Sequence, residues 1–182
     1  MNKLILCAAL CLVFFSAGAQ NRFFTKDAKI NFNSSTSVED IVAESNQVTT
    51  FIDIDKNEVG FLVLTTSFKF SRALMEEHFN ENYMESPKFP KAKFTGKIIT
   101  PIDWKAEKQV DADVKGQLTM HGVTKEVTVK AKITPGKSKV VASAELKITP
   151  EDFAIAIPSV VRDKIAKEVT IKIDAVYAPY QQ

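Results

Sequence analysis

Between Lys108 and Thr134 the chain alternates apolar and polar residues almost without a break. Val110, Ala112, Val114, Gly116, Leu118 and Met120 take every second position, with Asp111, Asp113, Lys115, Gln117 and Thr119 between them. Past His121-Gly122 the rhythm returns: Val127, Val129, Ala131 and Ile133 stand against Glu126, Thr128, Lys130 and Lys132. A period of two puts successive side chains on opposite faces of a strand. One face is apolar and the other charged, which suits an antiparallel sheet wet on one side. Glycine takes positive φ at little steric cost, so His121-Gly122 predicts a tight hairpin corner.

The same reading extends along the chain. Phe23 to Asn33 predicts a first strand with Ala28, Ile30 and Phe32 on one face, and Ser34 to Ser37 a turn. Thr36 or Ser37 could cap a short helix over Val38 to Ala43, because Glu39 and Asp40 suit a helix N-terminus. Gln47 to Asp55 alternates again, Lys56-Asn57 reads as a hairpin, and Glu58 to Phe70 as one strand with apolar residues on both faces. From Ser71 to Met84 the period changes: Met75, Phe79 and Tyr83 recur every four residues, which predicts a helix over 71–84. Ser71 is its expected N-cap and Phe70 its expected staple against Met75, while Pro87 and Pro90 stop it. Strands resume at Ala92 to Ile102, where Gly96 suggests a bulge or bend. Pro101 to Trp104 reads as a loop, and Pro135-Gly136-Lys137 as a turn. Val140 to Ile148 and Lys167 to Tyr177 are further strands, the last with Val169, Ile171, Ile173 and Ala175 inward. Thr149-Pro150-Glu151-Asp152 predicts a short helical turn before the brief apolar run Phe153 to Ile157.

About eight short-spaced strands with one inserted helix make an all-β chain, either a sandwich or an up-and-down barrel. Long antiparallel strands with one apolar face favour a closed barrel, which leaves no exposed edge. An eight-stranded barrel is either filled by its own side chains or holds one slender ligand.

Composition trims the part of the chain that folds. Lys3, the apolar run Leu4 to Phe15 and Ala17-Gly18-Ala19 have the form of a secretory signal peptide over residues 1–19, with residues 20–182 as one domain. The run is too short to span a membrane comfortably, so no stable span is expected once the leader is removed. Both cysteines, Cys7 and Cys11, fall in that leader, and neither has the apolar run ahead of it that a lipid-modified cysteine needs. The remaining chain has no disulfide to rely on and must be held by its core. Without Lys3 the 24 basic residues become 23 against 22 acidic, and no basic block stands out. Nucleic acid is therefore not an expected partner.

Three stretches together resemble the YceI-like family of secreted bacterial lipid-binding proteins. Gly116-Gln-Leu-Thr-Met-His-Gly-Val-Thr-Lys is similar to the family's Gly-x-Leu-Thr-hydrophobic-His-Gly-Val-Thr corner. Met75-Glu-Glu-His-Phe, followed by Tyr83-Met-Glu-Ser-Pro-Lys-Phe-Pro, resembles its helix and the Pro-containing stretch before a strand. Asp152-Phe153 is similar to its late Asp-Phe-Gly, with Ala154 in place of the glycine, and the first strand lacks the His often found there. The likeness runs over roughly residues 24–178. It implies an eight-stranded antiparallel, lipocalin-like barrel around a long apolar tunnel, found in the periplasm or secreted. The ligand implied is a polyisoprenoid chain such as an isoprenoid quinone or its precursor.

The inward rows are the candidate tunnel lining: Phe61, Val63, Phe94, Ile98, Val114, Leu118, Val129, Ile133, Ile171 and Ile173, with Met75, Phe79 and Tyr83 as lid or side wall. Apolar rows are normally core, so a filled barrel acting through its surface as an interaction or stress-response module is the alternative. His121, with Gly122, is expected to hold the corner by bonding nearby backbone, though it could also donate to a ligand head group. His78, near Glu77 and Glu81, reads as structural or solvated, because two histidines this far apart in sequence make poor metal ligands. Neither histidine has an obvious Ser or Cys partner and no Gly-rich phosphate loop occurs, so no enzyme activity, metal or cofactor is expected. Asp111 and Asp113 lie on the wet face, away from any cleft that could shift a carboxylate for catalysis. Nothing in the sequence sets the oligomeric state.

Overall fold

In a computed structural model, which describes residues 21–180, the chain closes into a ring of antiparallel strands. Its strands are β1 (Arg22–Ser35), β2 (Asp40–Asp53), β3 (Glu58–Leu64), β4 (Lys69–Phe70), β5 (Lys91–Ile98), β6 (Val110–Met120), β7 (Val123–Thr134), β8 (Val140–Ile148) and β9 (Val169–Pro179). Neighbours run β1-β9-β8-β7-β6-β5-β3-β2, and β2 pairs with β1 to close the circle. β4 adds only two residues at the edge of β2, so eight strands form the wall. The expected signal peptide lies outside the described residues.

The hairpin read from alternation is the most regular part of the wall. β6 and β7 pair without a register break from Val110↔Ile133 to Met120↔Val123. His121 and Gly122 turn the corner with φ of +50° and +75°, the paired positive values of a two-residue hairpin loop. Asp113 and Lys130 face each other on the outer surface 2.7 Å apart, as their wet positions require.

Four expectations are corrected. The first is the helix over Val38 to Ala43, which is instead the start of β2, with Phe32↔Ala43 and Ser35↔Asp40 in register. Thr36 Oγ1 does accept the amides of Val38 and Glu39, but it caps a hairpin tip. Pairing with β1 on one side and β4 on the other outweighs the local helix signal. The second is the strand Glu58 to Phe70, which breaks at a 3₁₀ turn over Thr65–Ser67. There the Thr65 amide donates to the Pro90 carbonyl, and Leu64 is left exposed on the outer face by the described residues.

The third concerns the helix. Only α1 (Ala73–His78) is α-helical, and Phe79–Tyr83 widens into a π turn. Asn80 braces the wider turn: its side-chain amide donates to the Glu76 carbonyl, its side-chain oxygen accepts from Ser86 Oγ, and its own carbonyl takes the Ser86 amide. Arg72, not Ser71, is the N-cap, and it makes no side-chain capping bond. The fourth is Gly96, which marks no bulge, since β5 keeps its register through it on both sides. Gly96 faces Gly116 on β6, and a side-chain Cβ at either would meet the Phe94 ring at 2.6 and 2.8 Å. The two glycines let that ring lie flat against the wall.

The described ends of the barrel differ. The Asp53 to Glu58 turn, the loop after β5 and the turn after β7 gather at one end. That loop carries Ile102 and Trp104 against the core, and Arg22 Nη2 donates to Asp53 Oδ2 at 3.0 Å nearby. The β1–β2 tip, α1, the His121 corner and the stretch between β8 and β9 gather at the other.

Candidate functional site: an apolar cavity along the barrel axis

Alternation puts one row of each strand toward the axis, and here those rows do not meet. They surround a cavity of about 510 Å³ whose wall is overwhelmingly apolar. Ala142, Ala144 and Leu146 on β8, and Ile171 and Ile173 on β9, point inward yet are only partly buried. A filled core would take that remaining surface away. Small side chains make the room: Ala131 on β7 faces Ala144 on β8, and both border the cavity.

The structure brings the candidate lining residues together with a single exception. Phe61 and Val63 of β3, Phe94 of β5, Val114 and Leu118 of β6, Val129 and Ile133 of β7, and Ile171 and Ile173 of β9 all line the cavity. Phe61, Phe94 and Leu118 stand side by side on three strands around the space. Met75 of α1, with Phe79 and Tyr83 of the π turn, line it from the side of the helix. Ile98 is buried at the far end of β5 but does not border the cavity.

The open end lies where exposed residues join the lining: Arg72, Leu74 and His78 around α1, and Lys164 before β9. Leu74 is 60% exposed there. Arg72 pairs with Glu39 of the β1–β2 tip, which ties the start of the helix to that tip. Beneath the helix, Phe79 sits within 5.1–5.6 Å, ring centre to ring centre, of Phe32, Phe68 and Phe70. Offset and tilted rings at such distances attract beyond simple burial, so this cluster docks the helix on the wall. Phe70 packs on Phe79 and Phe32. Alternation pointed Phe32 inward, but only the turn after β3 aims Phe68 and Phe70 at the same spot.

His121 bonds well beyond its own hairpin. Its Nδ1 lies 3.0 Å from the Phe153 carbonyl and its Nε2 3.0 Å from Glu85 Oε2. One ring therefore holds the segment after α1 and the 3₁₀ turn Pro150–Phe153 to the β6–β7 corner. The Phe89 ring meets it edge-on at 4.6 Å. His78 is exposed at the rim, and among the described residues no group of His, Cys, Asp or Glu could hold a metal ion.

Polar residues of the wall were not picked out from the sequence, among them a pair that bond each other. Tyr177 of β9 and Thr50 of β2 are almost wholly buried, and their hydroxyl oxygens are 3.1 Å apart. Burial pushes the Tyr177 phenol above its ordinary value of 10.0, against the hydrogen bond with Thr50. Burial likewise raises the Tyr83 phenol.

A closed eight-stranded antiparallel barrel around an apolar axial cavity, with a short helix at one end, is a lipocalin-like architecture. Residues 22–177 match the model of the YceI-like domain, and the chain belongs to that family. It is 39% identical over 70 residues to a UPF0312 protein of Pseudomonas fluorescens, covering 38% of this chain and 35% of that one. It is 31% identical over 117 residues to Protein YceI of Escherichia coli, covering 58% of each. The matched stretches thus span well under two thirds of these relatives' lengths. Among solved structures, a polyisoprenoid binding domain from Saccharophagus degradans, implicated in plant cell wall breakdown, superposes with a TM-score of 0.74. It is 14% identical, over 88% of this chain and 99% of that one. Burkholderia cenocepacia BcnA follows the same fold with a TM-score of 0.69 at 18% identity, over 83% and 96% of the two chains.

Proposed function

We propose that this protein is a non-catalytic carrier or reservoir that holds a long apolar isoprenoid-type chain in its barrel, in the periplasm or outside the cell. The observation that carries this reading is the apolar cavity of about 510 Å³. Ligand sites of roughly 300–1,000 Å³ with mostly apolar walls are the usual size for small molecules. At roughly 30 Å³ per water-sized group, the space takes about 17 such groups. Burying each methylene contributes about 0.8 kcal/mol, or roughly 14 kcal/mol in all. Association costs of about 4–15 kcal/mol are set against that sum.

Membership in a family whose fold is shared by a polyisoprenoid binding domain supports the isoprenoid class. Met75 and the aromatic rings at the rim suit a flexible apolar guest. The leader-like first 19 residues support export. The test is to purify the protein from its native host, extract it into organic solvent and analyse the extract by mass spectrometry. A stoichiometric isoprenoid lipid is expected; an extract with no stoichiometric apolar lipid overturns the reading.

A further inference from the structure

The lipid reading leaves the direction of the chain in the barrel open, and two wall residues bear on it. β2 starts at the helix end with Asp40 and finishes at Asp53, and β9 runs from Val169 to Pro179 in the same direction. Thr50 and Tyr177, near the ends of those strands, therefore sit toward the closed end of the cavity they line. Thr50 Oγ1 lies 2.8 Å from the Gly60 carbonyl, which can only accept, so the threonine proton is committed there. The contact with Tyr177 must then use the tyrosine proton, donated to Thr50 Oγ1 at 3.1 Å. That leaves the Tyr177 oxygen with free lone pairs and no proton to give. The site accepts a hydrogen bond and offers none.

We propose that Tyr177, oriented by Thr50, is a head-group subsite at the closed end, and that the lipid lies head-inward with a neutral hydroxyl donating to the Tyr177 oxygen. The inference rests on the proposed lipid binding and narrows its ligand to isoprenoids that end in a hydroxyl group. A carbonyl head would have to pull the tyrosine proton from Thr50. A carboxylate or phosphate head is disfavoured, because the cationic residues of the lining, Arg72 and Lys164, stand at the open end and an unpaired buried charge is costly. Tyr177 is a specificity residue here and Thr50 a positioning residue.

The test uses farnesol, its aldehyde farnesal and the hydrocarbon farnesene, which share one chain, against wild type, Tyr177→Phe and Thr50→Val. Leaving a buried hydroxyl without its partner costs about tenfold or more in affinity. Tyr177→Phe is expected to weaken farnesol by about that factor and leave farnesene unchanged. Thr50→Val frees the tyrosine proton, so farnesal is expected to bind more tightly than to wild type. Thermal melts show which variants fold, and Thr50→Val carries the test if Tyr177→Phe does not. Equal effects of Tyr177→Phe on farnesol and farnesene, or farnesal unchanged by Thr50→Val, overturn the head-inward subsite while lipid binding stands. Wild type binding none of the three overturns the lipid reading and the subsite with it.

Discussion

Filling the cavity from its own wall separates an open barrel from a packed one. Ala144 points inward from the middle of β8, opposite Ala131 on β7 and Ile173 on β9, and borders the cavity. Ala144→Phe adds a ring of six carbons to that wall. At roughly 30 Å³ per water-sized group, the ring takes up about 180 Å³, about a third of the 510 Å³ present. Without lipid, the ring moves from water into apolar space and contributes about 1–2 kcal/mol. For a chain of this length that raises Tm by about 2–8 °C. With lipid, the ring excludes about six methylene-sized groups at about 0.8 kcal/mol each, or about 5 kcal/mol. Affinity then falls by up to roughly three thousandfold, an upper bound because a flexible chain can fold aside. The two effects have opposite signs. A solid core would instead be overpacked, losing about 1–3 kcal/mol. The assay pairs circular-dichroism melts of delipidated protein with titration of a fluorescent isoprenoid. A variant that melts lower than wild type and binds as tightly refutes the open cavity.

Three further outcomes are expected. Ala154 holds φ at +57°, where the late motif of the family has glycine, and a left-handed residue costs about 1–2 kcal/mol. After the entropy cost of glycine, Ala154→Gly should stabilise by about 0.5–1 kcal/mol, read as a higher urea midpoint at unchanged slope. His121→Ala removes the bonds to Phe153 and Glu85, costing about 2 kcal/mol, and hydrogen exchange should show amides of 150–154 losing protection first. Burial alone would raise the Asp53 carboxyl, but hydrogen bonds from Arg22 and the Lys56 amide, with their charges, hold it below its ordinary 3.8. A depressed carboxylate stabilises above its unfolded value and loses that contribution as pH falls through the folded one. The advantage of wild type over Asp53→Asn in denaturant melts should therefore be full at neutral pH and shrink below about pH 4; an advantage independent of pH would contradict the pairing.

Much of this was legible along the chain because alternation reports directly on which face a residue takes. Val110 to Met120 and Val123 to Thr134 pair as read, and the turn at His121-Gly122 follows from glycine at a position that needs positive φ. The inward rows from Phe61 to Ile173 also follow from a period of two. Alternation names a face but not the distance to the opposite wall. Whether Phe94 points at the axis or lies flat depended on Gly96 and Gly116 meeting across two strands. The cavity likewise depended on Ala131 and Ala144 falling opposite each other on neighbouring strands. Local signals failed where other contacts outweighed them: β1 and β4 paired Ile41 to Ala43 into a strand, and the bonds of Asn80 to Glu76 and Ser86 brace a π turn where a helix was expected. Thr50 and Tyr177, 127 residues apart, became one polar spot only when the ring closed. The chain by itself determined the wall of the barrel; closure decided what the wall encloses, because a void is a property of many strands at once and no single strand encodes it.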